Sequence, residues 1–175
     1  MITIKNLLLI LLMFPARLVF GQSNVSELKV GHVFYIDIPE YMSKTVGINN
    51  AASVQFKSVT KDIYGFIIED SKEELNLTDM KFASINEFYD YFVKDFLKDE
   101  DKRNISPIHT FKKDEKNYVE MDASYYDKDA KADIYYYVCI VETKNYYYKI
   151  LCYSALENKD KFKSDFQKIP LSLKE

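Results

Sequence analysis

Histidine is scarce in this sequence, because the 175 residues contain only His32 and His109. Neither residue has a second histidine or a glutamate at the spacing with which metallohydrolases hold zinc on one helix face. We therefore interpret both as structural or surface side chains. A histidine-based metal centre or catalytic pair is not expected.

Glycine is also rare, since only Gly31, Gly47 and Gly65 follow the first 21 residues. Phosphate-binding loops need several glycines where the backbone approaches the ligand. The sequence also lacks the G-x-S-x-G turn that exposes the nucleophile of many serine hydrolases. These absences exclude glycine-rich nucleotide loops and that class of hydrolase.

Two cysteines are present, Cys139 and Cys152, and an oxidising compartment would favour a disulfide between them. If their hairpin turns at residues 142–145, Cys139 faces Tyr148 on the opposite strand. Cys152 then lies four residues further along, about 13 Å away, whereas a disulfide needs Cα atoms within about 7 Å. A loop one residue shorter places the thiols on opposite faces of the sheet. We therefore predict two free, buried thiols.

Basic side chains are not clustered. Arg17 and Arg103 are the only arginines, and the lysines are interspersed with acids. The net charge of the chain is −3, and it becomes more negative without the first 21 residues, which hold Lys5 and Arg17 and no acid. Nucleic-acid-binding proteins concentrate basic residues on one face. We predict no nucleic-acid partner.

Residues 1–21 have the features of a cleavable signal peptide. Lys5 precedes a short apolar run at residues 6–14, and Val19 and Gly21 stand where signal peptidase reads the chain. The run is about half of the ~20 residues that span a bilayer, so a retained membrane anchor is the weaker alternative. We predict a mature N-terminus at Gln22 and a periplasmic or secreted protein without a stable membrane anchor.

The remaining residues, 22–175, are enough for one domain with a core of its own. Residues 22–28 are polar and are interpreted as a loose lead-in, and residues 70–79 as a charged connection. Runs of β-branched and aromatic residues, bounded by turn residues, predict the strands. The predicted strands are residues 33–38, 52–59, 63–69, 105–112, 117–126, 133–141 and 146–154.

Two helices are expected. Ser84 and Glu87 form an S-x-x-E capping box at the start of the first, and an apolar stripe at helical spacing follows it. Residues 98–104 are solvated and end this helix. The stripe consists of Ile85, Phe88, Tyr89, Phe92 and Phe96. The second helix runs from about Asn158 to Pro170, with Phe162, Phe166 and Ile169 facing the core.

The hairpin of residues 133–141 and 146–154 has two apolar faces. Ile134, Tyr136, Val138 and Ile140 alternate with Tyr135, Tyr137, Cys139 and Val141. A strand that is apolar on both faces must be covered on both. Strands joined by hairpin-length connections, with helices between and after them, predict an α+β domain with a mainly antiparallel sheet covered by helices.

Several of these segments resemble the PsbP/Mog1-type domain. They are the opening Phe34–Pro39 segment, the capped helix after three strands, the aromatic hairpin at 135–138 and 146–150, and the closing helix that runs into residues 170–174. The resemblance covers about residues 30–174. It implies an α/β/α sandwich and a binding or accessory role, on photosystem II or on a small GTPase in members of that fold. Neither partner is expected for an exported protein, and the resemblance transfers no functional residue.

Two acidic segments were considered as cation sites, residues 69–74 and residues 127–133. Neither has the glycine and the alternating acids of a calcium-binding EF-hand loop, so we interpret both as solvated turns. The sequence thus predicts no catalytic, cofactor-binding or metal-binding residue. We expect a non-enzymatic binding or accessory protein whose partner is a protein or a small apolar ligand. The alternative is a hydrolase whose paired carboxylates meet only in the folded chain.

Overall fold

The computed structural model describes residues 25–30 and 34–175, with side chains described from Phe34 onward. The predicted signal peptide at residues 1–21, the predicted cleavage before Gln22 and His32 all lie outside the described residues. No helix in the described ranges is both long and apolar enough to cross a bilayer.

The first two described strands form a two-stranded sheet. Strand β1 (Val25–Val30) pairs antiparallel with β2 (Phe34–Pro39). The prediction of a loose lead-in over residues 22–28 was therefore wrong for its second half, because β1 finds its hydrogen-bond partners along the whole of β2. The backbone of Tyr35 in β2 also exchanges hydrogen bonds of 2.8 and 3.1 Å with that of Lys174, which holds the C-terminus against this strand.

The main sheet has eight strands and is antiparallel throughout. Its order is β3-β4-β5-β10-β9-β8-β6, and β7 pairs with another part of β8. The bounds are β3 Ser43–Lys44, β4 Val54–Ser58, β5 Ile63–Ser71, β6 Asp101–Ile105, β7 His109–Lys113, β8 Lys116–Asp127, β9 Ala132–Glu142 and β10 Tyr146–Ala155.

The edge of β8 is covered by two short strands where the sequence predicted one. Residues 105–112 were expected to be continuous, and residues 98–104 to be loop. Instead β6 begins at Asp101 and β7 begins at His109, with Pro107 between them. Proline has no N–H to donate to the ladder, so pairing stops there and resumes two residues later.

Within residues 34–175, three α-helices accompany the sheet: α1 (Lys72–Leu77), α2 (Ile85–Asp95) and α3 (Lys159–Leu171). Helix α1 lies inside the segment that was predicted to be a charged connection. Its N-cap is Ser71, whose hydroxyl accepts a hydrogen bond from the Glu74 amide at 3.4 Å. None of its residues is fully buried, so the sequence contains no apolar stripe that would have revealed it.

Helix α2 starts as predicted. The Ser84 hydroxyl accepts from the Glu87 amide at 3.3 Å, while the Glu87 carboxylate accepts from the amide of Ala83 at 2.7 Å, one residue before the cap. Ile85, Phe88 and Tyr89 are buried. Phe92 and Phe96 are only partly buried, so the predicted stripe is buried in its first half alone.

Helix α3 buries Phe162, Phe166 and Ile169, as predicted. Pro170 lies inside its last turn, and the helix ends one residue later at Leu171. The predicted stop at Pro170 is thus displaced by a single residue.

The core has two layers, one on each face of the central hairpin of β9 and β10. Tyr135, Tyr137, Cys139 and Val141 pack with α3 and β2, whereas Val138 and Ile140 pack with α2. The prediction of two apolar faces covered on both sides is confirmed. An eight-stranded antiparallel sheet between these layers also confirms the α+β class.

The register of this hairpin differs from the predicted one. Thr143 and Tyr146 are joined by a backbone hydrogen bond of 2.9 Å, so the loop is the two residues Lys144 and Asn145. Cys139 is therefore paired with Ile150 and not with Tyr148. Pairing along the hairpin is shifted by two residues, which keeps every side chain on its predicted face.

Candidate functional site

In the two acidic segments, acids contact groups of the protein itself. Asp70, at the end of β5, pairs with Lys149 at 2.6 Å, and Asp127 accepts hydrogen bonds from the amides of Asp129 and Ala130 at 2.8 and 2.9 Å within a turn. Within residues 34–175, no three His, Cys, Asp or Glu side chains come together as metal ligands. His109 has a side chain that is 69% exposed, which confirms its interpretation as a surface residue.

The structure does bring two carboxylates together, Glu120 and Asp122 on the inward face of β8. The Tyr137 hydroxyl donates to Glu120 Oε2 at 2.7 Å, and His109 Nδ1 lies 3.0 Å from Glu120 Oε1. The cavity beside them measures about 80 Å³. This volume is well below the range of about 300–1,000 Å³ that is usual for ligand pockets.

Asp122 is the more strongly held of the two. Its Oδ1 accepts from the Tyr135 hydroxyl at 2.7 Å, and its Oδ2 accepts from Lys163 and Lys159 at 2.6 and 2.9 Å. Burial alone would raise the pKa of Asp122, but the hydrogen bonds from the two lysines and the tyrosine outweigh it and leave the pKa lowered. A carboxyl held in its ionised form is a poor general acid at neutral pH.

The sequence carries a pattern that distinguishes these two acids from surface acids. Glu120 and Asp122 alternate with Val119, Met121 and Ala123 in a predicted strand, so they share the face of the buried Tyr118. Acids at inward positions of a strand need partners from whatever covers that face. We name Glu120, Asp122 and their hydrogen-bond partners the carboxylate cluster.

A second feature is a row of tyrosines on the opposite face of the sheet, the face that also carries α2. Tyr64 stacks on Tyr153 and Tyr153 on Tyr136, each with ring centroids 4.9 Å apart, and Tyr125 lies 6.3 Å from Tyr136. The row crosses β5, β10, β9 and β8, because the register places Tyr153 between Tyr64 and Tyr136. We name these four residues the tyrosine row.

The tyrosine row is partly exposed and lies in a negative field. Asp62 accepts from the Tyr64 hydroxyl at 2.9 Å, whereas the hydroxyls of Tyr136 and Tyr153 donate to no residue in the described part of the chain. Burial, followed by the neighbouring tyrosines and Asp62, raises the pKa of Tyr153 to about 12. Phenol edges of this kind are common in protein-binding surfaces, because they offer apolar area and a hydroxyl at once.

The third feature is a cleft of about 310 Å³ between α1, the segment after it and the edge of the β9–β10 hairpin. We name it the α1 cleft. Its apolar lining consists of Leu75, Met80, Phe82 and Tyr147, and its polar lining of Lys72, Asn76, Lys81 and Glu142.

The polar groups of the α1 cleft are organised around one ion pair. Lys72 Nζ lies 2.8 Å from Glu142 Oε1 and donates to the carbonyl of Thr143 at 2.9 Å, while Asn117 donates to Glu142 Oε2 at 2.8 Å. Burial would raise the pKa of Glu142, but the hydrogen bonds from Lys72 and Asn117 leave it lowered. Burial, then the charge of Glu142, raises the pKa of Tyr147 to about 12.

Comparison with solved structures identifies the class of fold. The cyanobacterial PsbP protein CyanoP from Synechocystis sp. PCC 6803 matches with a TM-score of 0.62 over 89% of this chain and 95% of that chain, at 14% sequence identity. The chain therefore has a PsbP-like fold, as the sequence resemblance predicted. At this identity the likeness establishes the fold alone.

A second match is a protein of unknown function from Pseudomonas aeruginosa, with a TM-score of 0.48 at 7% identity, covering 82% of this chain and 92% of that chain. No family model and no curated protein matches the sequence.

Proposed function

We propose that this chain is a non-enzymatic binding or accessory protein that acts in the periplasm or outside the cell, and that the tyrosine row contacts a protein partner. The signal peptide predicted at residues 1–21 supports the location. The observation that carries the binding role is the pair of hydroxyls on Tyr136 and Tyr153, which stand in a partly exposed aromatic row and have no partner among the described residues.

The partner presents basic side chains to this row. Asp62, Glu100 and Asp127 all raise the pKa values of tyrosines in the row through their charge. The register places a lysine, Lys57 of β4, opposite Tyr64 at one end of the row, while the three acids act on the remaining tyrosines, Tyr153 included. Lysine and arginine side chains are complementary to such a field, because they donate to phenol oxygens and pair with the carboxylates at its ends.

The hydrolase alternative draws less support from the carboxylate cluster. Catalysis by two carboxyl groups needs one that holds a proton at working pH and one that is free to act as base or nucleophile. Asp122 is instead neutralised by two lysines, and Glu120 is already occupied by Tyr137 and His109. These contacts favour a structural role for the cluster.

Site-specific photo-crosslinking tests the proposal. The photoreactive residue p-benzoylphenylalanine replaces Tyr153 in one variant and Val46, a loop residue that is 83% exposed, in the control. We expect irradiation in the producing cells to give a discrete adduct of defined mass from position 153 and none from position 46. The yield should fall as ionic strength rises, because salt screens a contact between opposite charges.

Three results would contradict the proposal. The first is the absence of any intermolecular adduct from position 153. The second is an equal set of adducts from both positions, which would indicate nonspecific contact. The third is a discrete adduct whose yield does not respond to salt, which would show that basic side chains do not carry the interaction.

A further inference from the structure

The apolar side of the α1 cleft is built on aromatic rings that pack tightly against one another. The Tyr147 ring stacks on Phe88 with centroids 4.1 Å apart, and Phe82 meets both rings edge-on, at 5.2 Å from Phe88 and 6.2 Å from Tyr147. Phe88 and Tyr147 are 2% and 3% exposed, so their positions are fixed by the core. Leu75 and Met80 complete the apolar wall.

The charges of the cleft leave one cation unmatched. Of its three charged side chains, Lys72 and Glu142 neutralise one another. Lys81 is exposed and makes no ion pair with any residue in the ranges that the structure describes. Glu87 lies near Tyr147, but its carboxylate accepts from the amide of Ala83 at 2.7 Å and is thereby fixed outside the lining.

The shape and size of the cleft match a small ligand. Its volume of about 310 Å³ is at the lower end of the range of about 300–1,000 Å³ that is usual for ligand pockets. Four of the eight lining residues are apolar, and the polar four include the cations of Lys72 and Lys81. A ligand with an apolar body and one anionic end can contact the apolar lining residues and the unmatched cation at once.

From these contacts we infer that the α1 cleft binds a small amphiphilic carboxylate, with its hydrocarbon part against Leu75, Met80 and Phe82 and its carboxylate at Lys81. Lys72 keeps its bond to Glu142, so Lys81 is the group assigned to the carboxylate. This inference does not depend on the proposed function, because the tyrosine row and the α1 cleft share no residue.

Sodium decanoate, used below its micelle concentration, is a suitable probe. Methionine methyl groups report binding by NMR, and the chain has only five methionines, so the Met80 signal is assignable from the variant Met80→Leu. We expect decanoate to shift the Met80 methyl signal in a saturable manner. Nonyltrimethylammonium has the same nine-carbon alkyl chain and a positive head, and we expect it to bind at least about tenfold more weakly because Lys81 repels it.

Two matched variants locate the anion. Lys81→Met keeps the length of the side chain and removes the charge, and it should raise the dissociation constant for decanoate about tenfold. Lys94→Met removes a charge from the exposed face of α2 and should change that constant by less than about twofold, because distant surface charges are screened. Both positions are exposed, so neither variant threatens the fold.

The inference is overturned if decanoate gives no saturable shift at Met80. It is equally overturned if the anionic and cationic amphiphiles bind with the same affinity. That result would show that only the alkyl chain contributes to binding. If Lys81→Met binds decanoate as tightly as the unmodified protein does, Lys81 does not bind the carboxylate and the proposal is wrong.

Discussion

Lys163 Nζ of α3 lies 2.6 Å from Asp122 Oδ2 of β8, and Lys159 Nζ, one helical turn earlier, lies 2.9 Å from the same oxygen. Two turns of α3 therefore converge on one carboxylate, which is itself fixed by the Tyr135 hydroxyl at 2.7 Å. Because the side chain of Asp122 is only 15% exposed, these contacts are shielded from water. They attach α3 to β8 by polar contacts, beside the apolar cluster that Phe162 and Phe166 share with Tyr118.

This arrangement predicts that Asp122→Asn destabilises the protein by about 2 kcal/mol, since hydrogen bonds to a charged group contribute about 1.5–3 kcal/mol. Urea denaturation at pH 7 measures the change. Asp160→Asn is the matched control: Asp160 is exposed on the same helix, and its replacement should leave the midpoint almost unchanged. A loss of the same size in both variants would show that helix charge, and not the contact with β8, determines the effect.

The same carboxyl group predicts how stability depends on pH. The pKa of Asp122 is lower in the folded protein than its ordinary value of about 4. Its contribution to the free energy of unfolding is therefore complete above that ordinary value and is lost as pH falls through the lower, folded pKa. The stability gap between the unmodified protein and Asp122→Asn should be constant from pH 7 to 5 and should close below about pH 4. A gap that does not narrow as pH falls below about 4 would contradict this linkage.

Phe88 and Phe92 lie on the same helix but should respond differently to truncation. Phe88 is 2% exposed and stacks on Tyr147, so Phe88→Ala should cost about 3–5 kcal/mol through lost burial and a cavity. Phe92 is only partly buried and stacks on Phe96 at 5.0 Å, so Phe92→Ala should cost about 1–2 kcal/mol. Equilibrium denaturation of the two variants compares them directly. Equal losses would place Phe92 inside the core.

The start of α2 can be tested by itself. Ser84→Ala removes the hydroxyl that accepts from the Glu87 amide and should cost about 1 kcal/mol, the usual value for an N-cap. Ser164→Ala, at an exposed interior position of α3, should be neutral or slightly stabilising because alanine is the better helix former. If Ser84→Ala leaves the denaturation midpoint unchanged, the hydroxyl does not stabilise this helix.

How far the sequence determines the fold is illustrated by the hairpin of β9 and β10. Alternation of apolar residues assigned Cys139 and Tyr136 to opposite faces correctly, because the side-chain period of a strand is two. Because of the same two-residue period, the apolar pattern does not reveal that the predicted register is wrong. A shift by two residues returns every side chain to its face, so the apolar pattern is equally satisfied by a four-residue loop and by the actual two-residue loop at Lys144 and Asn145.

The candidate sites were harder to predict from the sequence, for related reasons. The tyrosine row exists only because the registers of four strands bring Tyr64, Tyr153 and Tyr136 side by side, and one sequence does not fix four registers. The α1 cleft depends on a six-residue helix without a buried side chain, which no apolar period indicates. In contrast, the capping residues Ser84 and Glu87 act locally and were recognised from their spacing.

The corrected register brings the two thiols closer than the sequence suggested. Cys139 pairs with Ile150 and Cys152 pairs with Tyr137, so the cysteines are diagonal neighbours on one face. Such neighbours are about 7–8 Å apart, in place of the predicted 13 Å, and still at the limit of about 7 Å beyond which a disulfide requires movement of the backbone. Both thiols are free and buried, as predicted.

We therefore expect Cys139 and Cys152 to stay reduced and inert in the folded protein, even in an oxidising compartment. Burial raises the pKa of each thiol, so the reactive thiolate is scarce at neutral pH. A thiol reagent such as Ellman's should label no group in native protein and two groups after denaturation.

Replacing both cysteines with alanine should be tolerated better than replacing both with serine, because each serine would bury a hydroxyl in an apolar layer. A mass two hydrogens lower than calculated, with residues 139 and 152 in one linked pair of peptides, would show that the strands move enough to form the bond.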